Sequence, residues 1–401
     1  MYCRLVKVRW TFRFYPSEPQ KRQLAREFGC ARHAFNFALR LRTDSFKDGK
    51  PVNYNASSAA WTKHRNDPAF AFLRASSCIP QQQSLRHLQT AFANFFAKRS
   101  KYPRFRSKHG RQSAEYTTSG GFKWDSRNRN LRITKLGRLD VHWSREFTSN
   151  PTTATITKRE DGRYFVSLCL DECAELPAKT GDSIGVDLGI SRLATLSNGE
   201  RIHNPKHLGT NLVKLARQQR ILSRRKKGSG RWNRQRLKVA RLHSHIANSR
   251  KDCLDKLTTG LVRRFDVLAI EDLNVRGMVK YHCLARAISD VGFGMFRQML
   301  TYKAQWQGKE LRVADRFFPS SKRCSACGFV HTEMPLSVRE FTCQECGTQH
   351  DRDHNAAKNI LQFAAGGQPV EARGENARPV PAKARKGSSR GTVKQPSSVD
   401  V

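Results

Sequence analysis

Four cysteines constrain this chain more tightly than any other feature. Cys324-Ser325-Ala326-Cys327 and Cys343-Gln344-Glu345-Cys346 form two C-x2-C pairs separated by fifteen residues, each followed by a glycine, Gly328 or Gly347. That spacing predicts two knuckles that turn four thiolates onto one zinc ion. Because protein fills all four positions, the site is structural: it adds folding energy but cannot activate water. A redox pair is the competing reading. The other cysteines, Cys3, Cys30, Cys78, Cys169, Cys173, Cys253 and Cys283, are scattered through apolar or mixed stretches. That distribution suits a reducing compartment with one metal site better than a disulfide framework.

Charge narrows the partner. The 401 residues, enough for two or three domains, include 74 Lys+Arg against 33 Asp+Glu, a formal net charge of +41. Such self-repulsion expects a polyanion, and nucleic acid above all. No window approaches the ~18 uninterrupted apolar residues of a membrane span. No membrane partner is expected, and the chain is read as cytoplasmic.

Along the chain, residues 17–110 read mainly as helical, with Leu24, Phe28, Phe35 and Leu39 on one face and Leu85, Leu88, Phe92, Phe95 and Phe96 on another. Core packing explains both stripes. Lys98 to Arg111, KRSKYPRFRSKHGR, is basic and aromatic, and Pro103 argues against a continuous helix. It suits phosphate contact with stacking, or an ordinary solvated loop. Residues 112–178 read as short strands, among them Thr153–Thr157 and Tyr164–Leu170 about an Asp161-Gly162 turn, and the strand at the start of the chain is expected to join them. A new unit begins near Gly181, with a strand ending at Asp187 and a hairpin through Leu193–Leu196 and Glu200–Ile202. A long basic helical stretch, Asn211–Arg264, precedes strands at Val267–Ile270 and Leu311–Ala314, with a helix around Phe293–Trp306 between them. Strands alternating with helices point to an α/β sheet. Residues after Leu361 are rich in Gly, Pro, Ala, Ser and Lys/Arg, so a disordered basic tail is expected over 363–401.

Three acids stand out in a chain that otherwise avoids them. Asp187 closes the apolar strand in GVDLG, Glu271 closes another in DVLAIED, and Asp353 in HDRDHNAAKNI sits just before a helical run. Ionised carboxylates beside apolar strands are costly unless paired or metal-bound. Acids from three segments suit two magnesium or manganese ions for in-line phosphodiester hydrolysis. The plainer readings are a turn-forming Asp187 before Gly189, an arginine salt bridge for Glu271 and helix capping by Asp353.

GVDLGI at 185–190, EDLNVRGM at 271–278, ISDVGFGMFRQMLTYKAQWQGKEL, RFFPSSKRCSACG and DRDHNAAKNI at 351–360 together resemble the TnpB family, the RNA-guided nucleases of bacterial insertion sequences, related to the type V CRISPR effectors. FGCARHAFNFAL and YPRF are weaker echoes, and the resemblance runs from about Tyr15 to Leu361. It implies an α/β RNase H-like (RuvC) nuclease domain over 179–362 with a zinc ribbon inserted at 318–350. Preceding it would be an OB-like β-barrel, or wedge, from 1–14 and 111–178, carrying a helical recognition insertion at 15–110. Catalytic roles fall by motif on Asp187, Glu271 and Asp353, holding Mg2+ or Mn2+, with Asp351 as a supporting or capping residue. Structural Zn2+ falls on Cys324, Cys327, Cys343 and Cys346. The resemblance further implies a guide RNA encoded at the transposon end, target double-stranded DNA read by base pairing beside a short flanking motif, one protein per RNA, and a bacterial, nucleoid-associated protein. Tyr281, where relatives usually have Asn, is a departure outside the triad. A nuclease-inactive RNA-guided repressor is the alternative, and the three intact acids argue against it. A strand-joining transposase would need a tyrosine nucleophile with paired histidines or a DDE core, and neither is recognisable.

Overall fold

A computed structural model describes residues 3–335 and 337–365. The chain opens with strand β1 (Cys3–Phe14) and helices α1 (Glu18–Lys47), α2 (Tyr54–Asn66) and α3 (Cys78–Phe96). Strands β2 (Gln112–Thr117), β3 (Phe122–Asp125), β4 (Asn130–Ile133), β5 (Gly137–Arg138), β6 (Val141–His142), β7 (Thr153–Lys158) and β8 (Tyr164–Glu175) follow. In β1, Val8, Phe12 and Phe14 are buried while Leu5, Lys7, Arg9 and Thr11 face out, the period of a half-covered strand. β1 pairs antiparallel with β8 along its whole length, from Cys3 opposite Glu175 to Phe14 opposite Tyr164. The opening strand thus joins the later sheet as its sequence suggested. That sheet runs β2-β7-β8-β1-β6, and β3-β4-β5 form a smaller one beside it. One apolar core, including Phe12, Leu131, Ile156 and Leu168, fills the space between them.

The helices between β1 and β2 bury a separate core. α1 starts at a capping box: Ser17 accepts the Gln20 amide, and the Gln20 side chain accepts the Ser17 amide at 3.0 Å. Ala34, Phe35, Ala38 and Leu39 then pack against Trp61, Leu85, Leu88 and Phe92. Phe96 leaves the expected stripe, lying 72% exposed in the last turn of α3. Lys98 to Arg111 forms no helix. Asn36 pins it, its side chain exchanging bonds of 2.8 and 2.9 Å with the Arg106 backbone, while the Arg106 guanidinium lies 3.7 Å over Phe35.

The second half contains β9 (Ser183–Leu188), β10 (Arg192–Leu196), β11 (Arg201–His203), α4 (His207–Ser223), α5 (Gly230–Arg264) and β12 (Val267–Glu271). After these come α6 (Val275–Met278), α7 (His282–Val291), α8 (Phe293–Trp306), β13 (Glu310–Ala314), β14 (Glu340–Thr342), β15 (Gln349–Asp351) and α9 (Arg352–Ala365). The sheet order is β11-β10-β9-β12-β13. β9, β12 and β13 are parallel and the β9-β10-β11 meander is antiparallel. Apolar side chains of β9, β10 and β12 meet α5, α7 and α8 in one core that includes Val186, Leu268, Leu261 and Phe296. The other side takes α9, where Ile360 and Ala364 pack on Ala269.

Two expectations need correction. The basic helical stretch is two helices, because Gly228 adopts φ +86° and Ser229 caps a fresh start by accepting the Trp232 amide at 3.1 Å. α9 runs through Leu361 to Ala365, so helix enters the segment expected to be a disordered tail. Residues 366–401 of that expectation lie outside the described residues. No helix among the described residues is long and apolar enough to cross a membrane.

Candidate active site and zinc ribbon

Register places the first two acids. Ile270 of β12 pairs with Val186 of β9, so Asp187 and Glu271, each one residue further along a parallel strand, stand side by side on one face of the sheet. Neighbouring strands are about 4.8 Å apart. The third acid arrives from α9, which lies across that face. The contact is backbone to backbone: a Cβ added at Gly185 would meet the Ala357 carbonyl oxygen at 2.1 Å and Leu361 Cβ at 3.0 Å. Asp353 is one helical turn before Ala357, and Asp187 is two residues after Gly185 on the same strand face, so the glycine contact brings the two carboxylates towards each other.

Electrostatics registers the convergence. Burial, then the charges of Glu271 and Asp353, push the Asp187 carboxyl well above the usual carboxylate range. Burial also raises Glu271, opposed by a hydrogen bond that Ser320 Oγ donates to Glu271 Oε1. Asp353 lies 3.7 Å from Arg339 and 4.0 Å from Arg192. Crowded, half-buried carboxylates with only this much cationic compensation fit a site completed by added positive charge, and an all-oxygen donor set suits hard divalent ions.

The plainer roles fall on the neighbours. Asp272, adjacent to Glu271, is the one bound by arginines: Arg297, and Arg316 at 2.5 Å. Asp351, not Asp353, accepts the His354 backbone amide at 2.9 Å in the manner of a helix cap, and it pairs with Arg201 at 2.8 Å and Arg192 at 3.5 Å. Asp353 is inside the first turn of α9 rather than before it. Asp187 is held within β9, not in a turn.

The four cysteines converge as their spacing predicts. Their sulfurs all lie within 4.8 Å of one another, with Cys324 and Cys343 buried and Cys327 and Cys346 exposed. Among the described residues this is the one group of three or more such ligand atoms gathered that tightly. Each knuckle closes with the same bonds. The Cys324 and Cys343 amides donate to Phe329 O (2.7 Å) and Thr348 O (2.9 Å), and the Gly328 and Gly347 amides donate back to the two cysteine carbonyls. Both glycines sit at positive φ, +84° and +70°, where a side chain would strain the turn. The quartet fits a structural zinc. Outside it Cys30, Cys78, Cys169, Cys253 and Cys283 are free thiols, whereas Cys173 is disulfide-bonded, a departure from the reading of one metal site in place of disulfides.

Sequence reasoning missed the residues that support these groups: Gly185, Ser320, Asn355 and Asn359. The last two are 1% and 0% exposed. Two asparagines one turn apart on the inner face of an amphipathic helix were the available signal, since buried carboxamides need partners.

Comparison with known proteins supplies the lineage. Residues 166–282 match a family model described as "Probable transposase", 293–360 one described as "Cas12f1-like, TNB domain" and 1–51 one described as "Helix-turn-helix domain". A Streptomyces pristinaespiralis protein named "Putative RNA-guided DNA endonuclease" is 49% identical over 97% of this chain and 96% of its own length. InsQ of Escherichia coli (strain K12), which carries the same name, is 33% identical over 91% of this chain and 93% of its own. The fold is similar to Cas12f1 in a cryo-EM complex with sgRNA and target DNA, with TM-score 0.59 and 13% identity, over 89% of this chain and 99% of that one. Similar to such relatives along nearly its whole length, the chain belongs to the TnpB family.

Proposed function

We propose that this protein is an RNA-guided DNA endonuclease that hydrolyses guide-matched double-stranded DNA beside a short flanking motif, at Asp187, Glu271 and Asp353. The observation that carries the reading is the meeting of these acids from β9, β12 and α9 while Asp272 and Asp351 take the structural pairing and capping roles. The names of the full-length relatives support the same activity.

The three carboxylates would hold Mg2+ or Mn2+. Bound there, divalent ions supply a water of lowered pKa and charge stabilisation at the leaving 3′ oxygen. The protein's own contribution is placement. β-strand register fixes Asp187 beside Glu271, α9 fixes Asp353, and Arg192 and Arg339 flank the site where a phosphate must enter. The zinc quartet takes no part in hydrolysis.

The 179–362 unit is read as an RNase H-like nuclease with the ribbon inserted at 318–350, supported by the β11-β10-β9-β12-β13 order and by the ribbon's position between β13 and α9. Residues 1–14 and 111–178 are read as an OB-like wedge with a helical insertion at 15–110, supported by the helices' own core of Phe35, Leu39, Trp61, Leu85 and Leu88, while Leu24 and Phe28 of α1 pack in the core of the sheets. Guide RNA from the transposon end and target DNA are the proposed partners, with one protein per RNA on the bacterial nucleoid. The net charge of +41 supports polyanion binding. Asp187→Ala in the guide-loaded complex tests the site: cleavage should vanish while guide-dependent binding of a matched duplex persists. Lost binding would make the acid structural, and retained cleavage would remove it from the mechanism.

A further inference from the structure

We propose that the zinc ribbon positions the catalytic acids, with Ser320 as the positioning residue for Glu271. The inference rests on the nuclease reading of that site.

Ser320 precedes Cys324 by four residues and is 6% exposed. Its hydroxyl donates to one oxygen of Glu271, which leaves the other oxygen open. Its carbonyl accepts Asn359 Nδ2 at 2.7 Å. The chain then runs directly into the first knuckle, and α9 grips it throughout. Arg323 O accepts Asn359 Nδ2 (2.6 Å) and Asn355 Nδ2 (2.7 Å), while Asn355 Oδ1 accepts the Ser325 amide at 2.8 Å. Asn355 follows Asp353 by two residues on the same helix. A single segment, Ser320 to Ser325, therefore bonds Glu271 at one end, holds a zinc ligand near the other and is clamped between them to the helix that carries Asp353.

A buried donor on a metal-ligating carboxylate fixes its rotamer, and removing such a partner typically weakens metal binding or activity about 10–100-fold. A ribbon serving only as a surface module would need no bond to Glu271. The two roles differ in what Ser320→Ala does to metal affinity.

The test is a Mn2+ titration of the full-length protein followed by electron paramagnetic resonance. Wild type, Ser320→Ala and Ser320→Thr are compared, with Asp187→Ala defining non-specific binding and with zinc content and melting temperature recorded for each. The inference predicts that Ser320→Ala weakens the Asp187-dependent Mn2+ binding about 10–100-fold, that Ser320→Thr restores it through its hydroxyl, and that zinc content and melting do not change. In guide-loaded complexes the Mg2+ needed for half-maximal cleavage should rise in parallel and excess Mg2+ should recover the rate. Wild-type Mn2+ affinity in Ser320→Ala, equal loss in Ser320→Thr, or loss of zinc from Ser320→Ala would each overturn it. Absence of any Asp187-dependent Mn2+ binding in wild type is a different failure, since it would remove the nuclease reading itself.

Discussion

Asp351 and Asp353 are two residues apart and do opposite work. The first caps α9 and pairs with Arg201; the second reaches the acid cluster. Asp351→Ala should therefore cost about 1 kcal/mol of stability through the lost cap and keep cleavage. Asp353→Ala should abolish cleavage with little change in melting. Thermal denaturation beside a cleavage assay separates them, and the reverse pattern would exchange their roles. The resemblance singled out Asp353 over Asp351, but which of two neighbouring acids takes the close arginine bond is decided by partners far along the chain, as with Asp351 and Arg201 or Asp272 and Arg316. Glu27 was not legible at all. It is fully buried on α1, accepts the Ser77 amide at 2.9 Å, and burial raises its carboxyl above the ordinary value against the bonds from Ser77 and Gln23. A folded pKa above the unfolded ~4.3 means that the folded state binds the proton more tightly. Its stabilising contribution is complete below the unfolded value and is lost as pH rises through the folded one. Glu27→Gln should flatten that part of the stability profile and be the more stable form at neutral pH, measured by denaturation midpoints between pH 4 and 7. An unchanged slope would mean that Glu27 does not titrate in that window.

At the level of elements, periodicity carried most of the reading, because half-covered strands and one-faced helices write their burial into every second or every third and fourth residue. β7, β12, β13 and α8 emerged at or near their observed bounds, whereas β8 runs beyond the expected Leu170 to Glu175. The break between α4 and α5 was obscured because Arg and Lys on both sides of Gly228 favour helix equally well. The approach of α9 to β9 was not legible, since a glycine in GVDLG reads equally as turn chemistry. Here it is a contact requirement. Gly185→Ala forces a methyl to 2.1 Å from the Ala357 carbonyl, so α9 must shift and carry Asp353 with it. We expect a loss of about 1–3 kcal/mol together with impaired cleavage and retained zinc. Wild-type melting and activity would show that the helix does not lie so close.

For the molecule as a whole, charge is the property that the fold leaves least compensated. Between Glu200 and Asp252 there are sixteen Lys and Arg and no acid, ten of them on α4 and α5, which have only a small apolar seam of Leu215, Val239, Leu242 and Ile246 between them. A surface of that kind binds phosphate by releasing counterions. Non-specific nucleic-acid affinity should fall by about 10³-fold or more between 50 and 200 mM salt, as it does for proteins with six to ten phosphate contacts, and a flat response would deny the basic helices that role. The partner class was legible from this imbalance and the zinc quartet from its spacing. The joining of ribbon to acids was not, because Ser320 and Glu271 are 49 residues apart and meet only through the fold. The most direct test of the central claim is magnesium-dependent cleavage of a guide-matched duplex by protein purified with RNA from its own flanking locus, assayed beside Asp353→Ala. Cutting that needs the guide, the match and the metal, and that disappears in Asp353→Ala, is the predicted result. Tight guide-dependent binding without cutting by wild type, or a preparation that retains no RNA, would contradict it.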